Sequence, residues 1–172
     1  MEFQQLLVGV FERVAQTLEK TLDGLTQDDL SYQPKTDCNS IDWLTWHLTR
    51  SQDKAVSSLI NKEQLWITEK WYSKFKRNVD STDTGLGHSS EDVSNFQSPD
   101  AKTLLDYHYA VLKQTKEYIS KLSTTELGRE IDNPKNPIVG LRLAGIIGDN
   151  LQHVGQIAYL RGMLKGKGWY GS

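Results

Sequence analysis

Phe3-Gln4-Gln5-Leu6-Leu7-Val8-Gly9-Val10-Phe11-Glu12-Arg13-Val14-Ala15-Gln16-Thr17-Leu18-Glu19-Lys20-Thr21-Leu22 is the stretch that decides the fold class. Its apolar positions Phe3, Leu6, Leu7, Val10, Val14, Leu18 and Leu22, continued by Leu25, recur at three- and four-residue spacing, as one buried helix face requires. The pattern predicts an amphipathic helix over residues 2–23, stopped by Gly24. The same period returns three times. A second helix starts at an Asn39 or Ser40 cap and carries Ile41, Leu44, His47, Leu48, Ser51, Ala55 and Leu59 to about Asn61. Pro99 and Asp100 open a third, with Leu104, His108, Val111, Leu112, Thr115, Tyr118, Ile119 and Leu122 inward. A fourth covers about residues 139–164, carrying Val139, Leu143, Ile146, Ile147, Leu151, Val154, Ile157, Ala158 and Leu160, and ends at Gly166 and Gly168.

Between these helices the chain changes character. Thr26 and Asp29 have the spacing of a helix cap, and Ser123 and Glu126 repeat it as a capping box after the third helix. Residues 62–99 are aromatic, charged and broken by Gly85 and Gly87. One short helix is expected around Trp66 to Lys76 and another after Ser89. Pro134 and Pro137 punctuate the last connection. No segment shows a convincing strand pattern. Four long helices therefore predict an all-α four-helix bundle. The connection between helices 2 and 3 is long enough to cross the bundle end to end, which suits an up-down-down-up order.

Composition narrows the function classes. The 172 residues suit one domain, residues 1–172. Lys+Arg is 20 and Asp+Glu is 22, so a net charge of -2 offers no electrostatic footprint for nucleic acid or an anionic membrane. No apolar run approaches a membrane span, and Met1-Glu2-Phe3-Gln4-Gln5 does not read as a signal peptide, so a cytoplasmic location is expected. A single cysteine, Cys38, excludes an intrachain disulfide and a multi-cysteine zinc site.

The histidines carry the sharper signal. His47 projects with the apolar stripe of the second helix. Asp149 and His153 stand four residues apart on the fourth, hence on one face about a turn apart. Such a pair can grip one divalent metal, and His47 is the best-placed third ligand, leaving coordination positions open as catalytic sites require. The competing reading is that these are hydrogen-bonded core residues. His88 reads as a cap or loop-packing residue and His108 as a core histidine, each with a binding role as the alternative. Cys38 reads as a small buried residue, with a reactive thiol at a helix N-terminus as its rival. Trp66, Trp71, Tyr72 and Phe75 form an aromatic face that packs the crossover onto the bundle or walls a ligand pocket. Lys70, Lys74, Lys76 and Arg77 read as a solvated face. Arg50 or Arg161 would neutralise Asp149 or bind a substrate carboxylate.

Three segments also carry a family resemblance. Ser40-Ile41-Asp42-Trp43-Leu44-Thr45-Trp46-His47-Leu48-Thr49-Arg50-Ser51-Gln52-Asp53 resembles the second-helix motif of the DinB-like four-helix-bundle superfamily. Asp83-Thr84-Gly85-Leu86-Gly87-His88-Ser89-Ser90-Glu91-Asp92-Val93 resembles the middle signature of an uncharacterised branch of it. Asp149-Asn150-Leu151-Gln152-His153-Val154-Gly155-Gln156-Ile157-Ala158-Tyr159-Leu160-Arg161-Gly162 resembles its last-helix motif, and the likeness runs on to Gly168-Trp169-Tyr170-Gly171. The resemblance implies the up-down-down-up bundle and a metal site on His47, Asp149 and His153, with Asp149 standing where the family usually has His or Glu. Zinc or nickel is then the expected ion. Better-understood relatives are metal-dependent thiol S-transferases and a mycothiol-dependent maleylpyruvate isomerase. The resemblance thus implies a small-molecule substrate and a low-molecular-weight thiol cosubstrate, and because exposed apolar faces on such bundles commonly pair, a homodimer is expected. A non-catalytic, metal-keeping stress-related bundle and a dimeric interaction module with structural histidines are the rival readings.

Overall fold

The computed structural model describes residues 2–166 and Gly168; the motif residues Trp169, Tyr170 and Gly171 lie outside the described residues. In chain order the helices are α1 (Phe3–Leu22), α2 (Gln27–Leu30), α3 (Ile41–Leu59), α4 (Leu65–Thr68), α5 (Trp71–Lys74), α6 (Ser90–Ser94), α7 (Ala101–Ile119), α8 (Thr124–Leu127) and α9 (Val139–Lys165). The only β pairing among the described residues is an isolated bridge between Glu130 and Ile138. None of the described helices is long and apolar enough to cross a membrane.

The caps show why the helices start where they do. Ser40 accepts the Trp43 amide, Asp100 the Thr103 amide, Ser89 the Asp92 amide, and Thr26 forms a full box with Asp29. Ser123 caps α8, but the Glu126 carboxylate bonds Arg129 instead of closing the expected box. The single helix expected around Trp66–Lys76 is two, α4 and α5, because Lys70 between them takes a left-handed φ of 55° that breaks the helical ladder. α3 likewise stops at Leu59, short of Asn61, whose φ is 53°.

α1 and α3 each pack on both α7 and α9, so the four long helices form a square. Side-chain bonds report their directions. Gln4 reaches the Leu122 carbonyl near one end, Lys116 pairs with Glu12 midway, and Tyr109 reaches Glu19 toward the other, so α1 and α7 run oppositely. Thr49 meets His108 and Gln52 meets Thr115, so α3 and α7 advance together. His47 lies against His153 and Gln52 against Asn150, so α3 and α9 run oppositely. A parallel α3–α7 pair needs a connection that travels the length of the bundle, and the crossover supplies it.

α3 is the central helix: only Ser51, Lys54 and Ser58 along it escape burial. Its buried polar side chains therefore need partners. Arg50 and Asp53, both fully buried, lie 3.6 Å apart. Asp53 accepts the Leu65 and Trp66 amides at 3.0 and 2.8 Å and the Tyr107 hydroxyl at 2.7 Å. Arg50 donates to the Asp83 carbonyl at 3.1 Å and to Gln64 at 2.8 Å, and its guanidinium lies 4.6 Å from the centre of the Trp66 ring. One buried pair on α3 thus ties down both ends of the crossover. Trp66, Trp71 and Phe75 surround Tyr107 with ring centroids at 5.7, 5.1 and 5.9 Å, so the aromatic face packs the crossover onto the bundle.

Several side chains depart from the expected burial. Leu6 is 58% exposed and Leu151 47%. Each lies at the flank of its helix, where a four-helix square covers less than the full apolar arc. Cys38 is only half-buried, because it sits in the loop before α3 and not inside the helix pair.

Candidate metal centre

The site lies where α3, α9 and the loop before α6 meet. Candidate ligand atoms of His47, Asp149 and His153 all lie within 4.8 Å of one another. The two imidazoles cross almost at right angles, 87°, with centroids 4.9 Å apart. Helix periodicity puts Asp149 beside His153 on α9, and the antiparallel run of α3 delivers His47 to the same level.

Both histidines are oriented from behind. His47 Nδ1 donates to the Thr84 carbonyl. His153 Nδ1 donates to Gln156 Oε1 at 2.9 Å, while its Nε2 lies 3.3 Å from Asp149 Oδ1. In each ring an oxygen acceptor holds Nδ1, which sets the tautomer that leaves Nε2 for the shared space. That is the donor chemistry a divalent ion requires: two imidazole nitrogens and a carboxylate, each histidine fixed by an outer hydrogen bond. The residues present therefore fit such an ion.

The electrostatics agree. Burial pushes the His47 pKa down, against the opposing pull of the Thr84 carbonyl, so the ring favours its neutral, ligand-competent form. Burial alone would raise Asp149, but the His153 hydrogen bond and the charges of His153, His47 and Arg142 outweigh it and hold the carboxyl low. Burial works against a charge on His153, yet bonds to Asp149 and Gln156 raise its pKa. Without an ion, a proton shared by Asp149 and His153 satisfies the pair.

The middle motif builds the other wall. Trp43 stacks on His47, with centroids 4.7 Å apart and planes 6° from parallel. Trp43 Nε1 donates to His88 Nδ1 at 3.1 Å, and His88 Nε2 bonds Asp83 Oδ1 at 3.1 Å. Asp83 also accepts Arg77 at 2.7 Å and the Gly85 amide at 3.1 Å. His88 is thus a loop-packing residue that steadies Trp43, and Ser89, not His88, caps α6. Gly85 is required twice over. Its φ is 87°, and a Cβ there would meet Trp43 at 2.8 Å, Trp46 at 2.9 Å and His47 Nδ1 at 3.2 Å. Only a residue without a side chain lets the Thr84 carbonyl come down on His47.

The two arginines singled out from the sequence are engaged elsewhere. Arg50 holds the crossover, and Arg161 donates to the Thr21 and Asp23 carbonyls, both at 2.6 Å, at the end of α1. The cation that acts on Asp149 is Arg142, seven residues before it and so on the same face of α9. That spacing was available in the sequence and is the signal that would have found it. His108 is 1% exposed; its Nδ1 bonds Thr49 at 3.1 Å, and its Nε2 has no protein partner among the described residues.

A cavity of about 300 Å³ opens beside the triad. His47, Asp149, Ser51, Lys54, Asn136 and Arg142 contribute to its lining.

Residues 10–157 match the family model of the DinB superfamily. A crystal structure of a conserved protein from Enterococcus faecalis superposes with a TM-score of 0.88 at 29% sequence identity, covering 97% of this chain and 99% of that one. No curated protein matches the chain.

Proposed function

The chain belongs to the DinB superfamily, and from that premise we propose that it is a single-domain metal-dependent enzyme acting on a small molecule. His47, Asp149 and His153 would hold one divalent ion, zinc or nickel, through two nitrogens and a carboxylate oxygen. The observation that supports this reading most is the pair of oriented imidazoles, each with Nδ1 held by an oxygen, standing with Asp149 so that candidate ligand atoms of all three lie within 4.8 Å of one another. When bound, the ion supplies Lewis-acid chemistry, including lowering the pKa of a low-molecular-weight thiol presented to it. Thiol S-transfer is the finer form of the proposal. The chain's own residues do the rest. Trp43 shields one face of His47, and Thr84 and Gln156 keep the two rings from turning. The cavity admits the second reactant.

Elemental analysis of untagged protein tests this, beside His47→Ala and His153→Ala. About one ion per chain, lost in both variants, supports the site. Absence of metal after incubation with zinc and nickel overturns it.

A second reading is a non-catalytic bundle, and one observation favours it: Asp149 already pairs with His153 at 3.3 Å, so the site closes on a proton alone. In either reading two copies would associate through the exposed apolar side chains of α9, where Tyr159 is 71% and Met163 50% exposed. Sedimentation of wild type against Tyr159→Lys separates dimer from monomer.

A further inference from the structure

Arg142 is half-buried, and its guanidinium makes no hydrogen bond or ion pair with the described residues; Asp149 acts on it only through space. Its donors face the cavity and solvent and are left for a ligand to use. Lys54 lines the same cavity, and its one bond there, to the Thr82 carbonyl, is a long 3.4 Å. The helix geometry explains why the two cations meet. Lys54 stands seven residues after His47 on α3, and Arg142 seven before Asp149 on α9. Because α3 and α9 run oppositely, both offsets lead toward the same end of the bundle. Seven residues advance about 10 Å along a helix axis. The cavity thus has His47 and Asp149 of the triad toward one end and two cations toward the other, with Asn136 also in its lining. Among the described residues Asp149 is the only carboxylate lining it. Lys54 and Arg142 also line a second polar cavity, to which Arg129, Glu130 and Asp132 contribute, but no carboxylate there makes an ion pair with either cation among the described residues.

We propose that Arg142 and Lys54 form an oxyanion-binding subsite, which receives the carboxylate or phosphate-type head group of a small substrate whose other end lies toward His47, Asp149 and His153. A planar guanidinium matches such oxyanions with two parallel hydrogen bonds, and the ammonium adds charge. At about 300 Å³ the cavity suits a compact metabolite-sized acid and not a polymer. The inference rests on the metal reading for what happens at the far end, but the subsite itself is made of protein cations alone.

The test titrates succinate, its neutral analogue succinamide and methylphosphonate into the full-length protein, with and without zinc. Tryptophan fluorescence reports binding, because Trp43 stacks on His47 beside the cavity. Metal content is measured separately on every sample. Wild type is expected to bind succinate or methylphosphonate but not succinamide, and whichever anion binds identifies the head group. Arg142→Gln is expected to weaken that binding at least 10-fold with zinc content unchanged. Lys54→Gln should weaken it less, and Arg142→Lys should recover part of the loss. Equal binding of succinamide, or an Arg142→Gln variant that binds anions like wild type, overturns the subsite. Anion binding that depends on Arg142 in a protein that takes up no zinc supports the subsite and overturns only the metal reading.

Discussion

Replacing Gly85 by alanine tests whether the middle motif is shaped to hold His47. Two separate costs are expected. A φ of 87° is strained for any residue with a Cβ, at about 1–2 kcal/mol. The new Cβ would also stand 2.8 and 2.9 Å from Trp43 and Trp46, which are 5% and 0% exposed and have no room to withdraw. Overpacking of that kind costs about 1–3 kcal/mol more. Gly87 provides the internal control. Its φ is 86°, so Gly87→Ala meets the same strain, but no atom lies within 4 Å of its added Cβ. Urea unfolding followed by tryptophan fluorescence should place Gly87→Ala about 1–2 kcal/mol below wild type and Gly85→Ala about 2–5 kcal/mol below it. Their difference isolates the clash. Because that Cβ also reaches within 3.2 Å of His47 Nδ1, Gly85→Ala should take up less zinc while Gly87→Ala takes up the wild-type amount. Equal destabilisation by the two substitutions would refute the reasoning, since it would leave the strained φ as the whole effect.

Asp149→Glu should raise zinc occupancy, because the longer side chain reaches further, and Asp149→Asn should lower it; if metal analysis shows no change in either, Asp149 is not a ligand. His108 makes stability depend on pH: burial lowers its pKa from 6.5 to about 4, so between those values the unfolded chain binds the proton and the folded one does not. Stability is therefore complete above the unfolded value and falls as pH drops toward 4, by up to about 3 kcal/mol from this group. His108→Leu should flatten that part of the urea-unfolding profile, and a variant curve parallel to wild type between pH 4 and 6.5 would remove His108 as the cause. Arg50→Met leaves Asp53 buried without its cation and should cost about 3–5 kcal/mol in urea unfolding; a loss below about 1 kcal/mol would show that the amides and Tyr107 suffice for that carboxylate.

The four long helices were legible in the chain because each needs only its own period and caps, and Ser40, Asp100 and Thr26 cap where their side-chain chemistry dictates. Two parts of the candidate triad were legible for the same reason, since Asp149 and His153 share a helix face by spacing alone. Other features depend on segments far apart in sequence. Arg50 was a candidate partner for Asp149, yet its helix points it into the crossover, where Asp53, Gln64 and the Asp83 carbonyl hold it. The descent of the Thr84 carbonyl onto His47 needs Gly85 to fit between two tryptophans of α3, a contact no local pattern announces. The break at Lys70 follows from anchoring α4 to Asp53 and α5 to Tyr107 at once. Periodicity and capping act within a turn or two of helix, so the chain states them directly. The meeting of Lys54 with Arg142, and of His47 with His153, arises only when α3 and α9 pack in opposite directions and bring distant residues to one level.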